Sequence, residues 1–181
     1  MSKAYKGQNC GNVLELTLQD EQEFKTPTIV WSDTTNGEID QVQGDIPDNW
    51  KDNNTFTEPL YSSIQIGSSC TSIGEAAFRF QYNISDAETL IPDSVITIKD
   101  RAFESASNLG NLIIGKNVTS IGYNSFGYTQ VDRIEIHAVT AATIDIFAFS
   151  YSLVSDNSIH VPVGATGYAA SYDGLTVVYD L

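Results

Sequence analysis

Ser72-Ile73-Gly74-Glu75-Ala76-Ala77-Phe78 returns as Thr97-Ile98-Lys99-Asp100-Arg101-Ala102-Phe103, as Ser120-Ile121-Gly122-Tyr123-Asn124-Ser125-Phe126, and as Thr143-Ile144-Asp145-Ile146-Phe147-Ala148-Phe149. In every copy an Ile precedes a Phe by five residues, and the Phe positions are separated by 25, 23 and 23 residues. Before each copy lies a β-prone run: Ile64-Gln65-Ile66, Thr89-Leu90-Ile91-Pro92, Leu112-Ile113-Ile114-Gly115 and Ile134-Glu135-Ile136. Turn formers join run to copy at Gly67-Ser68-Ser69, Pro92-Asp93-Ser94 and Gly115-Lys116-Asn117. A fixed period with apolar anchors at fixed offsets is the mark of a solenoid, in which each coil buries its apolar edge against its neighbours. The expected repeat core is Ile73, Phe78, Ile98, Phe103, Ile121, Phe126, Ile144 and Phe149. Each coil should give a short strand, a tight turn, a second short β-segment and a compact helical turn carrying the Phe. The fold class is mainly β with short helical turns.

Working outward, the array needs ends. Ile159-His160-Val161-Pro162 opens as a further repeat strand, then register breaks through Tyr168-Ala169-Ala170-Ser171-Tyr172 before Leu175-Thr176-Val177-Val178-Tyr179. Terminal repeats are atypical because they close the core, so 159–181 reads as a cap on a solenoid spanning 61–181. Residues 1–60 read differently, as a β/extended anchor or oligomerisation segment. Leu14-Glu15-Leu16-Thr17-Leu18 alternates like a half-buried strand, and Thr28-Ile29-Val30-Trp31 is a second β-prone run. Two strands alone are marginal in water. They call for another surface: the solenoid's open end, a second copy of the chain, or a different protein. Residues 32–59 are rich in turn formers and read as a linker or as an arm that orders on a partner. Trp31, Trp50 and Phe56 are its candidate anchors, since large aromatics in polar segments often hold interfaces.

Charge excludes some functions. The chain carries 23 acidic and 9 basic residues, a formal net charge of −14. Residues 1–60 hold 11 acidic and 4 basic, and 61–181 hold 12 and 5, so each part carries −7. Nucleic-acid binding needs clustered Lys and Arg, and anionic lipid attracts the same residues. Neither partner suits this chain, and a solvated, self-repelling surface is the plain reading of its acidity. No run of eighteen apolar residues is present, so membrane insertion is not expected. The N-terminal decapeptide lacks the apolar core of a signal peptide. Cys10 and Cys70 form no CxxC pair; Cys70 occupies the place of Val95 and Val118 and should be a small buried hydrophobe.

Catalytic chemistry is thinly represented. There is no Gly-x-Ser-x-Gly, and no phosphate-binding glycine loop. His137 and His160 each follow a strand residue at what reads as a matching offset in adjacent repeats. A two-His metal site there lacks a carboxylate or Cys recurring beside both. Asp45, Asp48, Asp52 and Asn54, and likewise Asp33, Asn36-Gly37, Glu38 and Asp40, miss the spacing of a calcium loop. No cofactor and no catalytic residue is expected. Tyr61, Tyr82, Tyr123, Tyr128 and Tyr151 fall outside the core positions. They either cover the rim of the stack or form a binding face.

The units Val118-Thr119-Ser120-Ile121-Gly122…Phe126 and Ile91-Pro92-Asp93-Ser94-Val95-Ile96-Thr97-Ile98…Ala102-Phe103 resemble the BspA-type leucine-rich repeat. The resemblance covers about two-thirds of the chain and leaves residues 1–60 untouched. The leucine that usually follows the Phe is clear as Leu109 and Leu153, with Ile84 and Val131 standing in elsewhere. The resemblance implies a leucine-rich-repeat solenoid that binds or adheres without catalysis, of a kind seen on bacterial surfaces, in some protozoa and in phage-encoded proteins. Such a module works outside a cell, whereas this N-terminus carries no export signal. A virion protein, assembled in the cytoplasm and released by lysis, reconciles the two. The expectation is a homo-oligomeric phage head-fibre, decoration or tail-associated protein on the virion surface. Residues 1–60 would grip capsid or tail subunits, and 61–181 would face a host protein or glycan. The alternatives are a bacterial surface or secreted adhesin and an intracellular scaffold.

Overall fold

The computed structural model describes residues 66–181 throughout, Asp45, Ile46, Asp48, Asn49, Trp50 and Ile64 before them, and the backbone of four short strands. Those strands are Lys3–Tyr5, Leu16–Leu18, Thr28–Val30 and Gln41–Gln43. They form two antiparallel pairs, the first with the second and the third with the fourth. The β-prone runs around Leu16 and Ile29 therefore each take a neighbour of their own. Cys10, Trp31, Phe56 and Tyr61 lie outside the described residues, as do Asp33, Asn36-Gly37, Glu38, Asp40, Asp52 and Asn54.

From Ile66 the chain winds as a β-solenoid. One wall is a broad sheet in which Glu88–Ile91, Asn111–Ile114, Arg133–Ile136 and Ser158–Val161 run parallel. Leu175–Tyr179 continues it in parallel, and Ser171–Tyr172 closes that edge antiparallel, giving six strands in all. A second wall stacks the two-residue strands Ser72–Ile73, Thr97–Ile98, Ser120–Ile121 and Thr143–Ile144. A third, narrower ladder runs Ser85, Asn108, Gln130, Leu153. Between the first two walls the chain turns tightly, with the amide of Cys70 donating to the Gly67 carbonyl, Val95 to Pro92 and Val118 to Gly115.

The core is a set of like-on-like columns running along the stack. Phe78, Phe103, Phe126 and Phe149 are fully buried, with successive ring centroids 5.1, 5.1 and 5.5 Å apart and planes within 16° of parallel. Parallel strands in register force this: identical positions fall one above another about 4.8 Å apart, so a ring in one coil meets the ring of the next. Ile73, Ile98, Ile121 and Ile144 form a second column, and Ile91, Ile114 and Ile136 a third. Cys70 is wholly buried, as its place beside Val95 and Val118 implies. Gly122 shows how closely the coils approach, because a Cβ there would sit 2.6 Å from the Asp100 amide nitrogen.

Two expectations are corrected by the register. No helix forms among the described residues; the Phe-bearing segments are successive turns. The amides of Ala76, Phe78 and Phe80 donate to the carbonyls of Asp100, Ala102 and Glu104. Those of Arg101, Phe103 and Ser105 donate in turn to Tyr123, Ser125 and Gly127. Alternate N–H groups thus point to the next coil, which a helix, bonding along its own axis, forbids. The geometry requires positive φ at Ala76, Phe80, Arg101, Ser105, Asn124, Tyr128 and Tyr151. The second correction concerns Leu153, which pairs with Gln130 and is 71% exposed; Val154, opposite the buried Val131, fills the position assigned to the leucine.

Candidate functional site

The turn wall that carries the Phe column on its inside carries different residues on its outside. In the lower coils the outward positions are mostly charged or small, Glu75, Arg79, Asp100, Arg101, Glu104 and Ser105, with Phe80 half-buried at the position that Ser105 takes in the next coil. In the upper coils they become Tyr123, Tyr128, Ile146, Phe147 and Tyr151, exposed by 43%, 53%, 62%, 47% and 76%. Register organises them into two short stacks flanking the buried Phe column. Tyr128 and Tyr151 occupy equivalent positions, and their rings stack with centroids 5.0 Å apart at 18°. Tyr123 meets Phe147 edge-on at 6.1 Å. Leu153 extends the apolar surface. Large apolar side chains exposed in groups are uncommon on a soluble surface and mark a place of contact. Of the sequence-predicted residues, Tyr128 and Tyr151 are brought together here, and Tyr123 lies on the same wall paired with Phe147. Tyr82 lies in the first coil beside Phe80, at 5.8 Å, and Trp50 stands at the other end. Ile146 and Phe147 were not anticipated: Phe147, two residues before Phe149, reads as part of the core motif until the turn geometry turns it out.

Trp50 sits edge-on to Phe78 at 5.6 Å, the last ring of the Phe column on the N-terminal side among the described residues. Its neighbours continue the solenoid. Ile46 is buried and bridges Ile73 in parallel, and the Asn49 amide donates to the Glu75 carbonyl as Ala76 does to Asp100. Asn49 also shares the positive φ of Ala76 and Arg101. Asp45, Ile46, Asp48, Asn49 and Trp50, read from sequence within a linker or arm, thus form part of a coil.

Many of the carboxylates are structural. Asp45 Oδ1 accepts the amides of Thr71 and Ser72 and the Thr71 hydroxyl. Asp48 Oδ1 accepts the Glu75 amide and the Lys99 ammonium at 2.8 Å, and Asp100 accepts the Tyr123 amide. Each caps an N–H of the next coil. The Thr71 hydroxyl bond holds the Asp45 carboxyl below its ordinary range, and the Lys99 ammonium does the same for Asp48. Part of the acidity read as a solvated surface is therefore a ladder of capping groups.

The outer face of the broad sheet holds the other charged cluster. Strand register places His160 opposite Glu135, not His137, so the two histidines do not occupy matching positions. His160 is buried, its Nδ1 2.8 Å from Asp180 and its Nε2 2.7 Å from Asp156. His137 Nε2 lies 3.1 Å from Glu135, whose carboxyl is held low by that contact and by Arg133. Arg133 also approaches Asp156 and Asp180. Each histidine thus has its own carboxylates, which ties the last coil to Leu175–Tyr179. Among the described residues no group of three or more His, Cys, Asp or Glu side chains is arranged to hold a metal. No helix among them is long and apolar enough to cross a membrane.

A family model for the BspA type leucine rich repeat region matches residues 51–166, in six copies. No curated protein and no solved structure matches the chain.

Proposed function

The chain belongs to the BspA-type leucine-rich repeat family, and we propose that it is a virion protein which displays its solenoid outward from a phage particle. The family is typically a non-enzymatic binding module, and protein–protein contact or adhesion is what its repeats provide. The finer reading gives the N-terminal part of residues 1–60 the task of gripping a capsid or tail subunit. Its exposed coils then meet the host or its surroundings.

The observation that carries this division is a contrast in self-sufficiency. The coils bury a continuous core and end in an antiparallel edge strand. The four strands before Asp45 are three residues each and pair only two by two among the described residues. Such hairpins are marginal in water and gain stability from a further surface. A homo-oligomer of the anchoring segment, or a subunit of the particle, supplies one.

Cross-linking mass spectrometry on the full chain, in lysate of cells producing the native assembly, tests the proposal. Cross-links from residues 1–44 to capsid or tail subunits are expected. Cross-links confined to envelope or cell-wall proteins would instead support a bacterial surface adhesin.

A further inference from the structure

We infer that the upper turn wall, formed by Tyr123, Tyr128, Phe147 and Tyr151, is a docking surface for a protein segment bearing arginines. The inference deepens the reading of the chain as a binding module and rests on it. It does not depend on the virion assignment.

Three observations point to a guanidinium partner. The first is charge. Residues 118–181 contain Asp132, Glu135, Asp145, Asp156, Asp173 and Asp180 against a single basic residue, Arg133, a balance of −5. Arg133 is already engaged with Glu135, Asp156 and Asp180 on the sheet face. Of the carboxylates, Asp145 and Asp173 bond to amides of the aromatic wall, where Arg101 is the neighbouring cation, and the chain as a whole carries −14, a balance that favours a cationic segment over a second copy of this chain.

The second is what the chain's own arginines do with its aromatics. The Arg79 guanidinium lies 4.9 Å from the centroid of the Phe80 ring, and that of Arg101 lies 6.0 Å from Tyr123. Arg101 thus serves the Tyr123 edge of the upper wall from within the chain, while among the described residues no guanidinium lies over Tyr128, Phe147 or Tyr151. Tyr128 has Tyr151 on one side, but the equivalent position in the coil below is Ser105, which brings no ring. A planar guanidinium fits such a place, stacking on the ring face.

The third is the carboxylates beside the rings. Asp145 Oδ1 accepts the Phe147 amide at 2.9 Å, and Asp173 Oδ2 accepts the Tyr151 amide at 3.2 Å. Each carboxylate is thus held at the backbone of a residue with an exposed ring, and a carboxylate can accept from an arginine as well. Two such places on one wall suit a segment with two arginines.

The test is titration of the full chain with oligo-arginine, oligo-lysine and a neutral oligosaccharide at about 0.15 M salt, where long-range attraction is screened. Oligo-arginine should bind several-fold more tightly than oligo-lysine, with the oligosaccharide silent. Tyr128→Ala with Tyr151→Ala, which removes exposed rings and no charge, should weaken oligo-arginine by about tenfold, the order of two cation–π contacts. Asp145→Asn with Asp173→Asn should weaken it more than Glu88→Gln with Asp132→Asn, which removes equal charge elsewhere. The inference is overturned if the two tyrosines can be removed without effect, if both charge pairs act alike, or if the oligosaccharide binds instead. Unchanged thermal unfolding of each variant establishes that the fold is intact. The cross-linking result above stands or falls separately.

Discussion

At the scale of single residues, the columns decide what each side chain is worth. Phe103 stacks between Phe78 and Phe126 and is fully buried. Its replacement by Ala leaves a cavity that rigid neighbouring coils cannot fill, so a loss of about 3–5 kcal/mol is expected from denaturant unfolding. Thr89 is an exception within its column, which otherwise reads Leu112, Ile134 and Ile159. Its hydroxyl is buried and has no hydrogen-bond partner. Thr89→Val should therefore raise stability by about 1 kcal/mol, removing an unsatisfied group without changing shape. A lower unfolding midpoint would show that the hydroxyl is satisfied. Burial pushes the Cys70 thiol up to about 11, so in a Cys10→Ser variant it should resist a thiol reagent at pH 8 until denaturant is added. Rapid labelling of the native protein would mean that the first coil opens.

At the scale of elements, the carboxylate caps make the first coil acid-sensitive. Asp45 and Asp48 have folded pKa values below the ordinary 3.8. The stability they contribute is present above that value and is lost as pH falls through the lower, folded value. Below about pH 4 the segment Asp45–Trp50 should begin to leave the stack before the later coils. Trp50 emission in a Trp31→Phe variant should shift to the red, and less pH dependence should remain after Asp45→Asn. A shift that coincides with global unfolding would contradict separate release of that coil. The Ile-to-Phe spacing made the repeated elements legible because period and core coincide. The coil at Asp45–Trp50 was hidden by composition: its capping Asp residues and Asn49 look like those of a loop, and their use is visible only once the next coil's amides are in place. Leu153 and His160 misled for a related reason. Leu109 follows Phe103 by six residues, whereas Val131 and Val154 follow Phe126 and Phe149 by five, and two extra residues between Val154 and Ser158 bring His160 opposite Glu135.

At the scale of the molecule, the solenoid distributes its tasks by side. The inside of the turn wall holds the Phe column, its upper outside holds the rings, and the broad sheet carries the Arg133–His160 network. Tyr123, Tyr128 and Tyr151 were legible as non-core positions, yet their convergence with Phe147 depended on coil-to-coil stacking. The central claim is that the N-terminal segment holds a partner while these coils remain available. Hydroxyl-radical footprinting of the full chain, free and within the native assembly, compares both surfaces in one experiment. Protection in residues 1–44, with Tyr128 and Tyr151 equally reactive in the two states, is the predicted result. Protection of Tyr128 and Tyr151 with residues 1–44 unchanged would contradict it, and would make the solenoid itself the grip.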